Sequence, residues 1–379
     1  MTIKQFLSEL EEEGNLRKLP TDMSTGMLDF TSNDYLGVAA RKEYVEEFLS
    51  TDRCFVFSSS ASRLLASKQE AYNELETLLK KEYSREILIF NSGYHANTGV
   101  IPAIASVNKT LIIADKLVHA SIIDGIILSR SDYRRFPHNN LEALRRIVED
   151  NHTKYERILV ITESIFSMDG DSPDLNGFLA LKNAFPRIIL YVDEAHAFGV
   201  KGEHGLGLTH SASASGKWDV VVCPLGKAAA SMGAFVVCSE EVKELLINRS
   251  RSLIFSTALP PVQILWTTFI LRKIFRMDSE RDYLNNLTNL FAEMLNINFP
   301  NQKRVNSHIQ PLILGNAHDT VNLSSYLESE GIRVLPIRKP TVPPGTERLR
   351  FSITAGMKDS DIEKVGEILE KFNESRIYN

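Results

Sequence analysis

Three side chains of different chemistry follow two apolar segments of the sequence. Ile188–Val192 is apolar and rich in β-branched residues, which is typical of a buried parallel strand, and Asp193 and His196 come just after it. Asp219–Val222 has a similar character, and the loop that follows it carries Lys227. Ligands of open α/β sheets bind at the carboxyl ends of the strands. We therefore expect the carboxylate, the imidazole and the amine to share one site.

A lysine, an aspartate and a histidine in one site suit the cofactor pyridoxal 5′-phosphate (PLP). The amine of Lys227 can form a Schiff base with the cofactor's aldehyde. Asp193 can pair with the pyridinium nitrogen and keep it protonated, so that the ring acts as an electron sink. The alternative is a buried ion pair without chemistry. These two motifs leave both interpretations open, and the loops described below favour the first.

The letters Asp-Glu-Ala-His at 193–196 also occur as an acidic box of nucleic-acid helicases. That function needs a phosphate-binding Gly-x-x-x-x-Gly-Lys-Ser/Thr loop. The Gly-Lys pairs at 216–217 and 226–227 lack both the preceding glycine and the following hydroxyl. The chain has 43 basic and 48 acidic residues and a formal charge of −5, which disfavours a nucleic-acid partner. We therefore exclude a helicase and expect no nucleic-acid binding.

Length and composition indicate an ordinary globular protein. With 379 residues, 43% hydrophobic and 24% charged, the chain can form one large domain and a smaller one. Its three cysteines have no paired spacing, and no metal site is predicted. Glu9 and Glu11–Glu13 stand where a signal peptide would be apolar, and the apolar run Ile264–Leu271 is too short to span a bilayer. We expect a cytoplasmic protein without membrane contact.

The order of the segments predicts the α/β class. Ile3, Phe6, Leu7 and Leu10 recur at helical spacing, so residues 1–35 are predicted to be a helix and an arm. Strand-like and helix-like segments alternate over 36–265, which indicates a large domain with a mostly parallel sheet and helices on both faces. Residues 266–379 are expected to form a smaller α+β domain. The predicted strands are 86–90, 110–114, 157–162, 188–192, 220–223 and 234–238, then 332–337 and 349–354 in the smaller domain.

A turn of small residues follows the strand that ends at Phe90. Ser92, Gly93 and Tyr94 precede a predicted helix, and a helix N-terminus offers free N–H groups and the positive end of the dipole to an anion. We expect the cofactor's phosphate to bind here. The alternative is an ordinary turn between a strand and a helix.

Two further polar loops follow predicted strands. His119 comes after the strand 110–114, where it is either a structural residue or an imidazole stacked on a pyridine ring. Glu163 and Ser167 belong to a loop after the strand 157–162 that can reach the same rim. Because four polar loops follow four strands, we predict a shared pocket.

The sequence resembles the α-oxoamine synthases, PLP enzymes that condense an amino acid with an acyl thioester. The resemblance covers nearly the whole chain, from Thr31–Gly37 through the Asp-Glu-Ala-His strand and the loop of Lys227 to Leu349-Arg350. It implies the PLP-dependent transferase fold of type I, with a large PLP-binding domain and a smaller C-terminal domain.

The resemblance also implies roles for residues of the cofactor site. Lys227 would be the Schiff-base lysine, Asp193 the partner of the pyridinium nitrogen, and His119 the catalytic residue that stacks on the ring and touches the substrate. The remaining implied contacts with the cofactor are His196, at the phenolic oxygen, and Glu163 and Ser167.

Further positions match the family's substrate contacts. Asn33 and Arg350 would hold the amino acid's carboxylate, a role that suits a guanidinium fork. Arg17 and Arg338 are candidate cations near the path of the acyl chain, with a solvated surface position as the alternative for each. Thr341 belongs to a loop near the acyl substrate.

The resemblance implies a homodimer with shared sites. Ser256-Thr257 is similar to the segment that reaches the phosphate in the neighbouring subunit.

Two departures from the family's sequence pattern concern the binding of the cofactor. Pro224 stands where the family usually has a threonine whose hydroxyl touches the phosphate, and Ser58–Ser62 replaces a stretch that is usually rich in glycine. Both predict a weaker hold on PLP.

The stretch Ile337–Arg350 distinguishes the branches of the family. It is similar to the branch that joins L-alanine to a pimeloyl thioester, carried on coenzyme A or on acyl carrier protein. The alternatives are a sister synthase, such as one that transfers acetyl to glycine, and a non-catalytic PLP fold with a regulatory or binding role. The presence of Lys227, Asp193, His119 and Arg350 counts against the last.

Overall fold

The computed structural model describes residues 2–12, 15–16, 19, 26–67, 69–210 and 216–377. The chain divides into two compact units. The larger contains residues 36–167 and 171–281, and the smaller contains 1–35, 168–170 and 282–379. Arg17, predicted to meet the acyl substrate, lies outside the described residues.

The strands of the described residues are numbered in chain order. They are β1 (Leu28–Asp29), β2 (Glu86–Phe90), β3 (Thr110–Asp115), β4 (Asp132–Phe136), β5 (Arg157–Glu163), β6 (Ile188–Asp193), β7 (Val220–Pro224), β8 (Ala234–Cys238), β9 (Ile309–Ile313), β10 (Ile332–Arg333), β11 (Pro336–Ile337) and β12 (Arg348–Ser352).

The α-helices are numbered in the same way. They are α1 (Ile3–Glu12), α2 (Lys42–Leu49), α3 (Glu70–Tyr83), α4 (Gly93–Ala105), α5 (Ala120–Ser129), α6 (Leu141–Asn151), α7 (Leu175–Ala184), α8 (Glu240–Arg249), α9 (Arg251–Ile254), α10 (Pro261–Ile274), α11 (Asp278–Asn298), α12 (Ala317–Ser329) and α13 (Asp359–Ile377). None of these helices is both long and apolar enough to cross a membrane.

The larger unit is built on a seven-stranded sheet with the order β2-β8-β7-β6-β5-β3-β4. The pairs β3–β4, β3–β5, β5–β6 and β6–β7 are parallel, and β8 runs antiparallel to both its neighbours. The predicted α/β class with a mostly parallel sheet is thus confirmed. Because β5 and β6 pair in register up to Glu163 and Asp193, these two polar residues end at the same edge.

The apolar strands form the centre of the core. Ile112, Leu159 and Leu190, on three neighbouring strands, are completely buried. Burying each such side chain contributes roughly 1.5–3 kcal/mol. Helices α4 and α5 pack closely together, since a Cβ at Gly125 would lie 2.6 Å from the carbonyl oxygen of Asn97. This close approach brings the first turns of two helices to the same edge of the sheet.

Strand β4 was not predicted from the sequence. Its residues Asp132, Tyr133, Arg134 and Arg135 are exposed, and only Phe136 is buried. Charged side chains on an edge strand protect it from pairing with other chains, but they also remove the apolar pattern that reveals a strand.

The smaller unit contains a three-stranded antiparallel sheet, in the order β11-β12-β9. Phe30, Phe291 and Phe351 meet in its core with ring centroids 5.0–5.7 Å apart. The N-terminal segment is part of this unit because β1 pairs with β10 and the N–H of Phe30 donates to the carbonyl of Arg333.

The division of the chain has a boundary at Tyr35, as predicted, and differs from the prediction elsewhere. Residues 1–35 belong to the same compact unit as the C-terminal segment, and the larger unit extends to Arg281. The second difference arises because α10 packs against α3 and α2, where Trp266 and Phe48 meet edge to face at 5.3 Å.

Candidate active site

A cavity of about 180 Å³ lies in the larger unit at the carboxyl ends of β5, β6 and β7. The first turns of α4 and α5 form its other side. Its lining combines the predicted amine, imidazole and carboxylate groups with small and polar residues: Gly93, Tyr94, Asn97, His119, Ser121, Glu163, Asp193, Ala195, His196, Pro224 and Lys227. The structure thus brings together side chains from each of the four polar loops, although Ser92 and Ser167 are not among them.

Lys227 is placed by a tight turn after β7. The N–H of Ala230 donates to the carbonyl of Lys227 over 2.8 Å, and the N–H of Ser231 donates to the carbonyl of Leu225. The amine nitrogen Nζ of Lys227 lies 2.8 Å from Nε2 of His196, which is only 4% exposed. The turn and the imidazole together direct the amine into the cavity.

Asp193, the last residue of β6, is 4% exposed. One carboxylate oxygen, Oδ2, accepts from Nδ2 of Asn97 over 2.9 Å, and the other, Oδ1, accepts from the N–H of Ala195 over 2.9 Å. Because each oxygen has a donor, the carboxylate is held in one orientation and its burial is partly compensated.

His119 caps the N-terminus of α5. Its ring nitrogen Nδ1 accepts from the backbone N–H of Ser121 over 3.2 Å and lies 2.7 Å from the Ser121 hydroxyl. An accepting Nδ1 places the proton of the neutral ring on Nε2. Burial lowers the pKa of His119, and nearby Lys227 lowers it further, while Asp193 opposes both. The ring is therefore neutral near pH 7.

Glu163 is a buried carboxyl group at the end of β5. Its Oε1 accepts from the backbone N–H of His119 over 2.5 Å. Burial, together with the charge of Asp193, raises the pKa of Glu163 to about 8. At pH 7 Glu163 is thus a neutral carboxyl, which can donate a hydrogen bond.

The turn before α4 has little spare room. The hydroxyl of Ser92 accepts from the N–H of His95 and so caps the helix. A Cβ at Gly93 would lie 2.6 Å from Cγ of Pro224, so only glycine fits. Pro224, which replaces the expected threonine, packs directly against this turn.

The serine-rich stretch pairs with the segment around Thr257. Ser62 forms a β-bridge with Thr257, and the N–H of Ala258 donates to the carbonyl of Ala61 over 2.9 Å. Ser60 has a φ of 50°, a left-handed conformation that favours glycine. The substitution of serine for glycine is therefore a strained feature.

Other predicted site residues lie apart from this lining. Ser92, Ser167 and Thr257 are in the larger unit but do not line the cavity. In the smaller unit, Nη2 of Arg350 donates to Oδ1 of Asn33 over 3.1 Å, so the two residues predicted to bind a carboxylate are neighbours.

Arg338 and Thr341 also belong to the smaller unit. They face each other across one turn, where the N–H of Thr341 donates to the carbonyl of Arg338 over 3.0 Å. Their roles remain predictions.

Sequence reasoning missed three polar residues near the cavity. Asn97 and Ser121 line it, and Tyr191 donates to Oδ1 of Asn97. An asparagine among the alanine, glycine, valine and isoleucine residues of α4 was the available signal. Among the described residues, no group of three or more His, Cys, Asp or Glu side chains could hold a metal ion.

His138 was also missed. It bridges two carboxylates, with Nδ1 3.0 Å from Asp115 and Nε2 3.1 Å from Asp171. Asp115 also accepts from the backbone N–H groups of Leu117 and Asn139. The bridge therefore fixes the loop that leads from β3 to His119.

This fold, with a lysine, an aspartate and a histidine at the strand ends of a mixed seven-stranded sheet, is that of the PLP-dependent transferases of fold type I. The family model of the class I and II aminotransferases matches residues 25–369, and the chain belongs to this family. PLP is its cofactor, as predicted.

Individual relatives narrow the comparison. A protein of Pasteurella multocida, provisionally named 8-amino-7-oxononanoate synthase, is 43% identical over 98% of this chain and 99% of that protein. The 8-amino-7-oxononanoate synthase of Haemophilus ducreyi is 42% identical over 94% of this chain and 96% of its own length.

Solved structures agree on the fold. The 8-amino-7-oxononanoate synthase of Francisella tularensis has a TM-score of 0.77 and 28% identity, covering 93% of this chain and 100% of that one. Serine palmitoyltransferase of Sphingomonas wittichii has a TM-score of 0.87 at 24% identity, and the match covers 98% of this chain and 97% of that one. The resemblance to the α-oxoamine synthases, a group of PLP-dependent acyltransferases, is confirmed.

Proposed function

We propose that this protein is an 8-amino-7-oxononanoate synthase, which joins L-alanine to a pimeloyl thioester with loss of CO2 in biotin biosynthesis. The observation that carries the proposal is the identity of 42–43% to relatives of that name over nearly the whole chain. The cavity of the larger unit supports the chemistry, and the stretch Ile337–Arg350 supports the substrate.

The residues of the cavity fit PLP. A carboxylate held by two donors suits a pyridinium nitrogen, a flat neutral imidazole suits the face of the ring, and an amine suits the aldehyde. The helix N-terminus at Gly93, too tight for a Cβ, suits a phosphate. When bound, PLP supplies an electron sink for negative charge on the substrate carbon.

Lys227 is the residue that moves a proton. Its Nζ removes the Cα proton of alanine, and His196, 2.8 Å away, holds the amine in place. Cα then bonds to the carbonyl carbon of the thioester, and the thiol leaves. Loss of the alanine carboxyl as CO2 and return of a proton complete the product. Seven carbons of the pimeloyl group and two of alanine give the nine of oxononanoate.

The substrate's charged ends need cations. Arg350, positioned by its hydrogen bonds to Asn33 and to Ser352 Oγ at 2.6 Å, is proposed to bind the carboxylate of alanine. Arg338, Arg17 and Thr341 are proposed to lie along the acyl chain. A homodimer in which Thr257 serves the neighbouring subunit's phosphate is part of the same proposal.

The test is product formation by purified protein loaded with PLP. L-alanine and pimeloyl-coenzyme A, or pimeloyl acyl carrier protein, are supplied, and the product is identified by its mass together with released thiol and CO2. The Lys227→Ala variant is the matched control and should form no product. Absence of product with both acyl donors, while L-serine or glycine reacts with another thioester, would overturn the proposal in favour of a sister synthase.

A further inference from the structure

Asn97 is a buried polar residue among the apolar buried residues of α4. It is 1% exposed, and its neighbours Ala96, Val100 and Ile101 are completely buried. An amide in such a place is costly unless its hydrogen bonds are made. Here they are: the oxygen accepts from the hydroxyl of Tyr191, and the nitrogen donates to both Asp193 and Ser121 over 2.9 Å each.

The direction of these hydrogen bonds follows from chemistry. The amide nitrogen of Asn97 can only donate, so Oδ2 of Asp193, which it faces, accepts its hydrogen bond. The amide oxygen then faces Tyr191, whose hydroxyl must donate. Burial raises the pKa of Tyr191 well above its usual value, with Asp193 adding to the effect, so this donor keeps its proton.

The second hydrogen of the amide continues the network. The hydroxyl of Ser121 accepts from Asn97, which leaves its own hydrogen for Nδ1 of His119 at 2.7 Å. The backbone N–H of Ser121 points to the same ring nitrogen over 3.2 Å. A proton on Nδ1 would face this N–H, so the network favours the ring with its proton on Nε2.

We propose that Asn97 is a positioning residue that orients both Asp193 and His119 towards PLP. This proposal rests on the assignment of Asp193 to the pyridinium nitrogen and of His119 to the ring face. It is independent of the acyl substrate. Through one amide, the group that keeps the ring protonated and the group that stacks on it are fixed relative to each other. The close packing of α4 and α5 at Gly125 supports this arrangement, because it holds the helix that carries Asn97 against the helix that His119 caps.

Three variants separate the branches of the network. Asn97→Leu has a similar shape and removes every hydrogen bond. Tyr191→Phe removes only the bond to the amide oxygen. Ser121→Ala removes the hydroxyl between Asn97 and His119 and leaves the Asn97–Asp193 bond. Each is purified without cofactor, checked by thermal unfolding, and titrated with PLP labelled with ¹⁵N at the ring nitrogen.

We expect Asn97→Leu to weaken PLP binding by ~10-fold or more, the size of one buried hydrogen bond to a charged group. The ¹⁵N signal should move towards that of the unprotonated ring, and the pH at which the visible band of bound PLP changes should shift. Tyr191→Phe should shift the PLP affinity, the ¹⁵N signal and the pH midpoint in the same direction but by a smaller amount. Ser121→Ala should leave the ¹⁵N signal in place.

A merely structural role would lower the unfolding temperature and leave the ¹⁵N signal and the pH midpoint unchanged, which would overturn the proposal. If Asn97→Leu does not fold, the test uses Tyr191→Phe instead. An unchanged ¹⁵N signal and an unchanged pH midpoint in that variant would likewise overturn the proposal. Asp193→Asn is the reference: if that variant leaves the ¹⁵N signal unchanged, the assignment of Asp193 to the ring nitrogen is wrong, and the proposal falls with it.

Discussion

Nζ of Lys227 lies 2.8 Å from Nε2 of His196, although the two residues are 31 positions apart and follow different strands. The contact exists because β6 and β7 are parallel neighbours, with Asp193 opposite Val222 in the register. The two nitrogens are within hydrogen-bond distance. His196 therefore holds Lys227 in the loop after the carboxyl end of β7, beside the carboxylate of Asp193 at the end of β6.

Borohydride reduction of the PLP-loaded protein should fix the cofactor on the peptide that contains Lys227. Among the residues that the structure describes, Lys227 is the lysine that lines the cavity with Asp193 and His119. Lys201, whose pKa is lowered by burial, is the rival nucleophile in the same unit. Lys201→Arg should keep the visible absorbance of bound PLP and Lys227→Arg should lose it. Label on another lysine, or no bound chromophore after reconstitution, would refute this prediction.

Replacing Asp193 by Asn should leave the fold intact and reduce kcat by roughly 10²-fold or more, because the charge that stabilises a protonated pyridine nitrogen is lost. Steady-state kinetics at saturating PLP check this. Asp150→Asn, on the exposed face of α6, is the matched control and should have normal kcat. Near-normal turnover of the Asp193 variant would mean that another group protonates the ring.

Replacing Pro224 by Thr should tighten PLP binding by about 0.5–1.5 kcal/mol if a hydroxyl is missing from the phosphate site. The proline ring packs against Gly93, so a residue of similar size is needed there. Titration of the cofactor-free protein measures the affinity, with Pro224→Val as the control that lacks the hydroxyl. If the Thr variant binds PLP no better than the Val variant, the proline shapes the turn and no hydroxyl is missing.

The stability of the protein should fall at high pH through His138. Burial lowers the pKa of this residue, but its hydrogen bonds to Asp115 and Asp171 outweigh the burial and raise it to about 9. A pKa raised in the folded state contributes stability that is complete below the unfolded value near 6.5 and is lost as the pH rises through about 9.

The measurement is the free energy of unfolding of the cofactor-free protein from pH 6 to 10, for the protein and its His138→Gln variant. Because His138 is partly exposed, we expect the difference between them to be on the order of 2 kcal/mol at pH 6, to shrink as the pH rises from about 6.5 to about 9, and to be small above pH 9. His318→Gln, at a side chain that is 85% exposed, is the control. A difference that does not depend on pH would show that His138 is uncharged in the folded protein.

The sequence predicts the parts of the site that depend on one strand and the loop after it. Strands β5, β6 and β7 are apolar runs that end in polar residues, so both the strands and Glu163, Asp193 and Lys227 were predicted. The antiparallel direction of β8 has no such signal, because a buried run looks the same in either direction.

Residues that act across elements were not predictable in this way. Asn97 and Ser121 meet only because α4 and α5 approach closely, and His138 reaches Asp115 and Asp171 from the loop after an edge strand. The pairing of β1 with β10, which places the N-terminal segment in the smaller unit, joins residues about 300 positions apart. Each of these contacts depends on tertiary packing, which cannot be predicted from the local pattern of a single sequence.

The most direct test of the proposed function is the ratio of kcat/KM for two substrate pairs. We predict that L-alanine with a pimeloyl thioester exceeds glycine with an acetyl thioester by at least ~100-fold, which a few specific contacts worth about 3 kcal/mol can supply. Arg338→Ala should reduce the ratio by raising KM for the pimeloyl donor. A preference for glycine and the short acyl group would contradict the proposed substrate and leave the fold, the cofactor and the role of Lys227 unaffected.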